Sequence, residues 1–407
     1  MTTIGVSDRE ESGAVGSGLT PVLVVSRSNI VSGAERVLIS LAPEMAHLGY
    51  EMVLGCPPGS PFGEIWSELG LQTIDLPAPS YGGLRRPGSK RRPSPAKMAT
   101  DADKMLSSAK HMASLAAEYS LVHSNSLWGH LEAAVAGRLA RRPVVLHLHD
   151  MVLPGFGRYV LGAAVGMSSA AVAISQAVAS CVPAFARSRV VVQPNGIDHH
   201  RFSPDHPEGS LPSVPGPVDS PLVGIVGRID PEKGVHEVVR AVARLQERGL
   251  RPRLVVAGEP TTSGDYYDRV HAEATLLLGD RVSFLGQVSD ASGLMAGLDV
   301  LVNASRSEPF GMTILEAQAC GTPVVAAAGG GAVEIVEDGV TGLLFPPGDD
   351  AALAGAISQI LENPSLARSL STSARDRVVE QFGIQAAAAR LARLYASLVR
   401  PGPIPKP

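Results

Sequence analysis

Two glutamates eight residues apart, Glu308 and Glu316, are the only acids in the run SRSEPFGMTILEAQACGTPVVA (305–326), which is otherwise apolar, punctuated by glycine and nearly free of charge. Paired carboxylates are the machinery of glycoside hydrolysis, one as acid and one as nucleophile or base, and they must flank one bond at a separation of about 5–9.5 Å. A local alternative is that Thr313 and Glu316 form the T-x-x-E of a capping box at a helix start. VLVNAS upstream reads as a strand, Glu308 falls in the loop after it, Pro309 and Gly311 shape a turn, and the helix begins near Met312. Glu308 then points into a cleft from a strand end, while Glu316 lies about one turn along the helix. Supports that differ this much favour two contacts on one nucleotide-linked ligand over an acid–base pair. The free N–H groups around Gly311, Met312 and Thr313 add an anion site.

Other residues converge on the same chemistry. In GIVGRIDPEKG, Arg228 leaves a strand end and Lys233 follows at the mouth of the next helix. Two cations placed there suit a diphosphate; the competing reading is a surface salt bridge of Arg228 or Lys233 with Asp230 or Glu232. VVLHLHD puts His147, His149 and Asp150 at a strand end, with both histidines on one face. The spacing is incomplete for a metal site, and a histidine at a cleft edge can bond a sugar hydroxyl. In SRSNIVSGAER, a glycine after a strand and before a helix lets Ser32-Gly33 sit under a phosphate. The DAD of Asp101–Asp103 follows a Pro-rich loop and not a strand, so it is not read as a metal-binding pair. There is no phosphate-binding Walker loop and no G-x-S-x-G elbow.

The elements that must position these residues alternate along the chain. PVLVVS, EMVLGC, LQTIDL, LVHSNS, PVVLHLHD, AAVAIS and RVVVQPNG read as strands in the first half. LVGIVG, RLVVAGE, RVSFLGQ, LDVLVNAS, TPVVAA and TGLLF do so in the second, with helical patterns between them. This alternation is the signature of parallel α/β sheets, whose ligands sit at the carboxyl ends of the strands. A Pro- and Ser-rich stretch without periodicity separates the halves. The division expected is a leader over 1–19, a first domain over 20–202, a linker over 203–220, a second domain over 221–384, a helix over 385–400 packing back across the hinge, and a tail over 401–407.

With 407 residues, 45% hydrophobic and 18% charged, the chain has the composition of a two-domain globular protein. A formal charge of −4 argues against nucleic acid as a partner. Three widely spaced cysteines, Cys56, Cys181 and Cys320, form no disulfide framework, which points to a reducing, cytoplasmic setting. The N-terminus lacks the pattern of a secretory signal. The run 159–186 carries no charge but is rich in Ala, Gly and Ser and broken by Pro183, so it reads as helix, buried strand and helix and not as a membrane span. A basic insertion, Leu84–Lys97, is either a solvated loop or a contact with the acceptor or with the inner face of the plasma membrane.

Taken together, SGAERVLISLA, HLHD, AISQAV, PNGIDHHRF, GRIDPEKG, FLGQV and SEPFGMTILEAQACGTPVVAAAGGGAVEIVEDGVTGLLFPPGD arrive in the order found in a known family. The chain resembles a retaining glycosyltransferase of the GT-B architecture, in the large bacterial group 1 / family 4 type, from about residue 21 to 395. The resemblance implies two Rossmann-like α/β domains with parallel sheets facing across a deep cleft. It implies that Arg228 and Lys233 bind the donor diphosphate, and that Glu308 lies by the donor sugar near the anomeric carbon. Phe310, Gly311, Met312 and Thr313 would offer backbone to sugar and phosphate, and Glu316 would hold the ribose hydroxyls. Val288 would cradle the base, His149 would touch the sugar, and Asn195 of the PNG segment would join the donor site. Gly33 would lie under the phosphates, with one departure: the family often has Gly-Gly where this chain has Ser32-Gly33.

The implied reaction is transfer of a hexosyl unit from a UDP- or GDP-linked sugar to an acceptor hydroxyl with retention. No metal and no cofactor beyond the nucleotide-sugar co-substrate is implied. The acceptor expected is a small natural-product aglycone or a lipid-linked envelope glycan. The alternatives are a sugar-nucleotide epimerase and a non-catalytic sugar-nucleotide-binding protein of the same architecture. EPFGMTILEA disfavours the first, and the presence of Arg228, Lys233, Glu308 and His149 disfavours the second.

Overall fold

The computed structural model describes residues 18–28, 30–77, 95–205, 214, 220–260 and 264–399. Most of the leader, most of the linker, the tail and residues 84–94 of the basic insertion lie outside the described residues. Lys97, the last residue of that insertion, falls at the start of the helix Pro95–Ala116, which also carries the DAD triplet.

Each apolar run forms the strand its composition demands. The first half gives β1 (Thr20–Val25), β2 (Tyr50–Cys56), β3 (Thr73–Asp75), β4 (Leu121–Ser124), β5 (Val144–Leu148), β6 (Ala170–Ala173) and β7 (Val190–Val192). The second gives β8 (Leu222–Val226), β9 (Arg253–Ala257), β10 (Val282–Gly286), β11 (Val300–Asn303), β12 (Val324–Ala327) and β13 (Leu343–Phe345). They assemble into a seven-stranded sheet, β3-β2-β1-β4-β5-β6-β7, and a six-stranded sheet, β10-β9-β8-β11-β12-β13. Every pairing in both is parallel. Strands covered by helices on both faces need apolar side chains on both faces, and β1, β4, β5, β8, β9 and β11 are buried almost throughout. In both sheets the strand order reverses beside the first strand, between β1 and β4 and between β8 and β11. The crevice outside the carboxyl ends at such a switch point is where an open α/β sheet takes its ligand.

The run 159–186 divides into the helix Phe156–Met167, β6 and the short helix Gln176–Ser180. Among the described residues no helix is long and apolar enough to cross a membrane. Cys56, Cys181 and Cys320 are buried free thiols.

The chain crosses between the domains twice, and the second crossing ties them. After the helix Pro364–Gln381, Ile197 and Gly383 form a parallel bridge, with Ile197 N–H donating to Phe382 O (2.8 Å) and Ile384 N–H to Ile197 O (3.0 Å). Gly196 is glycine because a Cβ there would stand 2.7 Å from Ala387 Cβ and 2.8 Å from Ile384 Cα. The last helix, Ile384–Leu398, then lies on the first-domain helix Gly33–His47. Tyr395 is fully buried in this contact, edge-on to Tyr50 (5.3 Å between centroids), with its hydroxyl 2.5 Å from His123 Nδ1 on β4.

Tyr395→Phe keeps the ring and its contact with Tyr50 but removes the hydroxyl, leaving His123 Nδ1 buried without a partner. A loss of about 1–3 kcal/mol is expected, read as a lower urea midpoint at unchanged slope. An unchanged midpoint would show that this bond contributes nothing to holding the last helix on the first domain.

Candidate functional site

At the switch point of the second sheet, the β8 loop bends through Arg228 and Ile229 into a short 3-10 turn, Pro231–Lys233. Asp230 caps that turn, its Oδ1 accepting from the N–H groups of Glu232 (3.0 Å) and Lys233 (3.2 Å). With the turn capped, Lys233 is aimed at the loop after β11, where its Nζ lies 2.8 Å from Glu308 Oε2. Arg228 stays about half exposed, 3.4 Å from Asp230 Oδ2. The two cations therefore divide. Arg228 makes the Asp230 contact weighed as its alternative role, and Lys233 pairs with the catalytic-loop candidate Glu308.

Glu308 is buried, at 8% exposure. Burial alone would push its carboxyl up, but the Lys233 charge and the hydrogen bonds of Lys233, Ser305 and Asn303 outweigh it and hold the group below the ordinary glutamate value. The loop is braced from several sides. Arg306 donates to Glu237 Oε1 from Nε (3.0 Å) and from a terminal nitrogen (2.8 Å), and its N–H donates to Glu232 O (3.3 Å). Asn303 Nδ2 reaches Thr313 Oγ1 (3.3 Å), joining the Glu308 loop to the helix Met312–Ala319. Behind the loop lies Gly329-Gly330-Gly331: Gly331 N–H donates to Glu308 O (2.7 Å), and a Cβ on Gly330, at φ +61°, would fall 2.1 Å from that same oxygen.

Glu316 behaves differently. Among the described residues its carboxylate has no hydrogen-bond or ion-pair partner. Its surroundings raise its pKa, burial first, with the charges of Arg36 and Arg201 opposing. The capping box with Thr313 does not form. Gly311, at φ +115°, occupies the cap position without any side-chain bond, so Thr313 is already the second helical residue. A true capping box stands across the cleft at Ser32: the N–H of Ser32 (2.9 Å) and its hydroxyl (2.5 Å) both donate to Glu35 Oε2. Ser32 is thus engaged in starting its own helix. Gly33, the next residue, faces the second domain, and a Cβ on it would lie 3.8 Å from Met312 Cγ.

The first sheet contributes imidazoles. His123, His130, His147 and His149 cluster at the ends of β4 and β5, with His123 and His147 edge-on at 5.2 Å and His147 and His149 at 4.1 Å. Burial lowers all four, with neighbouring rings adding to it for His123, His130 and His149. His130 falls to about 3 and His147 to about 4, so the row is neutral at physiological pH. His149 reaches the cleft edge, its Nε2 2.8 Å from Asn125 Oδ1.

The structure brings Lys233, Glu308 and Thr313 into one bonded unit, with Phe310, Gly311 and Met312 on the same loop and helix start. Phe310 is buried, its ring tilted against Phe382 at 6.3 Å. Val288 is half-buried after β10, packed against the same core as Phe310. Asn195 is placed elsewhere: it lines a small cavity with His147, Gln193, Ala387 and Leu391 under the last helix, with its Oδ1 buried and unpartnered. Among the described residues no group of three or more metal-ligating side chains is poised to hold an ion.

Two glycosyltransferase family models match the chain: "Glycosyltransferase Family 4" over residues 31–201 and "Glycosyl transferases group 1" over 212–377. Together they cover every strand of the two sheets except β1. The structure of HepE from Anabaena, solved in complex with UDP, superposes with a TM-score of 0.76 at 26% identity, over 93% of this chain and 100% of that one. The chain belongs to the GT-B glycosyltransferases. The D-inositol 3-phosphate glycosyltransferase of Actinosynnema mirum is 40% identical over 195 residues, 46% of this chain and 47% of the relative. A glycogen synthase of Mycobacterium tuberculosis is 33% identical over 220 residues, 54% and 51% of the two chains. The matched part spans about half the length of these curated relatives.

The residues that join the two halves of this site carry no motif. Ser175 Oγ donates to Pro309 O (2.6 Å), and Glu334 accepts from the N–H groups of Gln176 (2.8 Å) and Ala177 (3.0 Å). Asn125 and Arg306 carry none either. Each is held by residues far from it in sequence, and only the S-x-x-E spacing at Ser32 carries a local signal.

The Lys233–Glu308 pair makes a signed prediction. In the native chain the lowered Glu308 pKa contributes stability above the unfolded carboxyl value, and that contribution is lost as pH falls through the folded value. In Lys233→Met the cation is gone and burial dominates, so the folded pKa rises above the unfolded one and the sign reverses. The destabilisation of Lys233→Met relative to the parent is expected to be about 3–5 kcal/mol at pH 8 and to shrink toward pH 4.5, measured by urea unfolding at both. A pH-independent difference would contradict this account of Glu308.

Proposed function

We propose that the chain transfers a hexosyl unit from a nucleoside-diphosphate sugar to an acceptor hydroxyl, with retention and without a metal ion. The single observation that supports this reading most is the partly buried Lys233–Glu308 pair, with Arg228 half exposed on the same turn and Glu316, whose carboxylate has no partner among the described residues, on the helix after the Glu308 loop. A pair so placed can exchange its internal contact for one with a ligand's diphosphate and sugar. HepE has been solved with UDP-glucose bound, which favours UDP as the nucleotide here.

In this reading Arg228 and Lys233 hold the diphosphate and stabilise the charge that grows on the leaving nucleotide. Glu308 lies beside the anomeric carbon, where positive charge develops. Glu316, with no hydrogen-bond or ion-pair partner among the described residues, accepts the ribose hydroxyls, and Val288 lies against the base. The bond from the anomeric carbon to the phosphate oxygen breaks as the bond to the acceptor oxygen forms on the same face. The acceptor's proton passes to the departing phosphate. Water excluded by domain closure cannot compete as acceptor. The acceptor is a small aglycone or a lipid-linked glycan. The epimerase alternative shares the architecture but has no use for an acceptor site.

Three measurements test the proposal. A thermal-shift screen against UDP-, GDP-, ADP- and TDP-sugars should give its largest stabilisation with a UDP-sugar. Lys233→Ala should reduce turnover of that donor by about 100-fold or more while circular dichroism stays native; near-normal turnover would remove Lys233 from the diphosphate. Glu316→Ala should weaken UDP about tenfold, and unchanged affinity would refute its ribose role.

A further inference from the structure

The imidazole row contains a contact that the reading above does not use. Asn125 follows β4 and is buried, and its backbone N–H donates to Val25 O (3.0 Å), which sets where its side chain begins. One end of its amide lies 3.4 Å from Ala34 O. A carbonyl can only accept, so that end is the NH2 group and the other end is the oxygen. That oxygen stands 2.8 Å from His149 Nε2. An amide oxygen can only accept, so Nε2 carries the hydrogen, and a neutral ring then leaves Nδ1 bare.

We propose that Asn125 is a positioning residue: it locks His149 as the Nε2–H tautomer, so that the nitrogen left for a ligand is an acceptor, Nδ1. The surroundings keep the ring neutral. His147 stacks on it from β5, and His123 on β4 and His130 on the helix His130–Ala140 stand behind. Burial leads, and a proton on any of these neighbours would add to the cost of one on His149. Asp150 follows in the chain, and the charges that bear on it are Glu35 of the first helix and Arg228 of the second domain. None of the four imidazoles donates to or accepts from a carboxylate among the described hydrogen bonds. The ligand chemistry that fits is a hydroxyl donating to Nδ1. His149 thereby selects a sugar hydroxyl by its hydrogen and not by its lone pairs.

This inference rests on the transferase reading only for what the ligand is, and the test separates the two. Two-bond proton–nitrogen correlation spectra of histidine-labelled full-length protein, with His149→Gln to assign the signal, read the tautomer with no substrate present. The Nε2–H pattern is expected for His149; an Nδ1–H pattern or a mixture overturns the proposal. Asn125→Ala should produce that mixture and lower kcat/KM for the UDP-sugar about tenfold, while Kd for UDP changes by less than about twofold. Asn125→Asp places a carboxylate on Nε2–H, raises the His149 pKa and gives kcat/KM a limb falling toward acid that the parent lacks. A profile superimposable on the parent's overturns the positioning role. If no nucleotide-sugar is turned over at all, the transferase reading fails, and the spectra still decide the tautomer.

Discussion

The geometry of the second domain's crevice depends on keeping a carboxylate charged where water is scarce. Glu308 can stay ionised at 8% exposure only because Lys233 stands 2.8 Å away and Asn303 and Ser305 add their hydrogen bonds. Two loops from different strands must therefore stay in register to within a hydrogen-bond length. Arg306 stitches them by bonding Glu237 with its side chain and Glu232 with its backbone. The three consecutive glycines let another backbone lie against the Glu308 loop where any side chain would collide. A buried ion pair contributes little net stability by itself, because desolvation offsets the attraction. Its value is a preorganised field: cation and anion are already oriented, so no rearrangement of solvent is required when charge develops nearby.

The two domains solve opposite electrostatic problems. The second gathers ionisable side chains in the loops after its strands and on the helix that follows: Arg228, Lys233, Glu308 and Glu316. The first gathers imidazoles that burial keeps neutral, with His147 depressed to about 4 and His130 to about 3. Neutral rings offer a phosphate no charge, only an N–H donor, whereas Lys and Arg offer both. The two sets stand on different sheets, charged groups on the second and neutral rings on the first. The last helix links this division to folding. Tyr395, delivered after the second domain is complete, hydrogen-bonds a histidine of the first-domain row.

The strands were legible because a doubly wound sheet needs apolar residues on both faces of each strand, and short apolar runs ending in glycine or polar residues have few other uses. Glu308 and Lys233 were legible as strand-end residues for the same reason. The helix caps were not. T-x-x-E at Thr313–Glu316 and S-x-x-E at Ser32–Glu35 match one motif equally well, yet only the second forms the box. The difference is the residue that takes the cap position: Gly311 at φ +115° starts the helix two residues before Thr313, whereas Ser32 is itself the cap. Spacing cannot report φ. Asn195 shows the complementary difficulty, since PNG follows a strand as a site residue would, and its neighbours are instead set by a helix that arrives some 190 residues later.

The contacts that join the domains fall on the Glu308 loop and on the elements braced against it. Ser307 Oγ donates to Met151 Sδ (3.3 Å), Ser175 donates to the carbonyl of Pro309, and Glu334, on the helix that follows the three glycines, caps the helix Gln176–Ser180. Residues on both sides of Glu308 in sequence are thus held by the first domain, while Glu308 itself is held by Lys233 of the second. A rotation of one domain against the other cannot leave this loop undisturbed: it must break these contacts or carry the loop away from Lys233. Because Arg306 also ties this loop to Glu237 and Glu232, the segment that carries Glu308 is braced from both domains at once, and relative movement of the domains is opposed at the site itself.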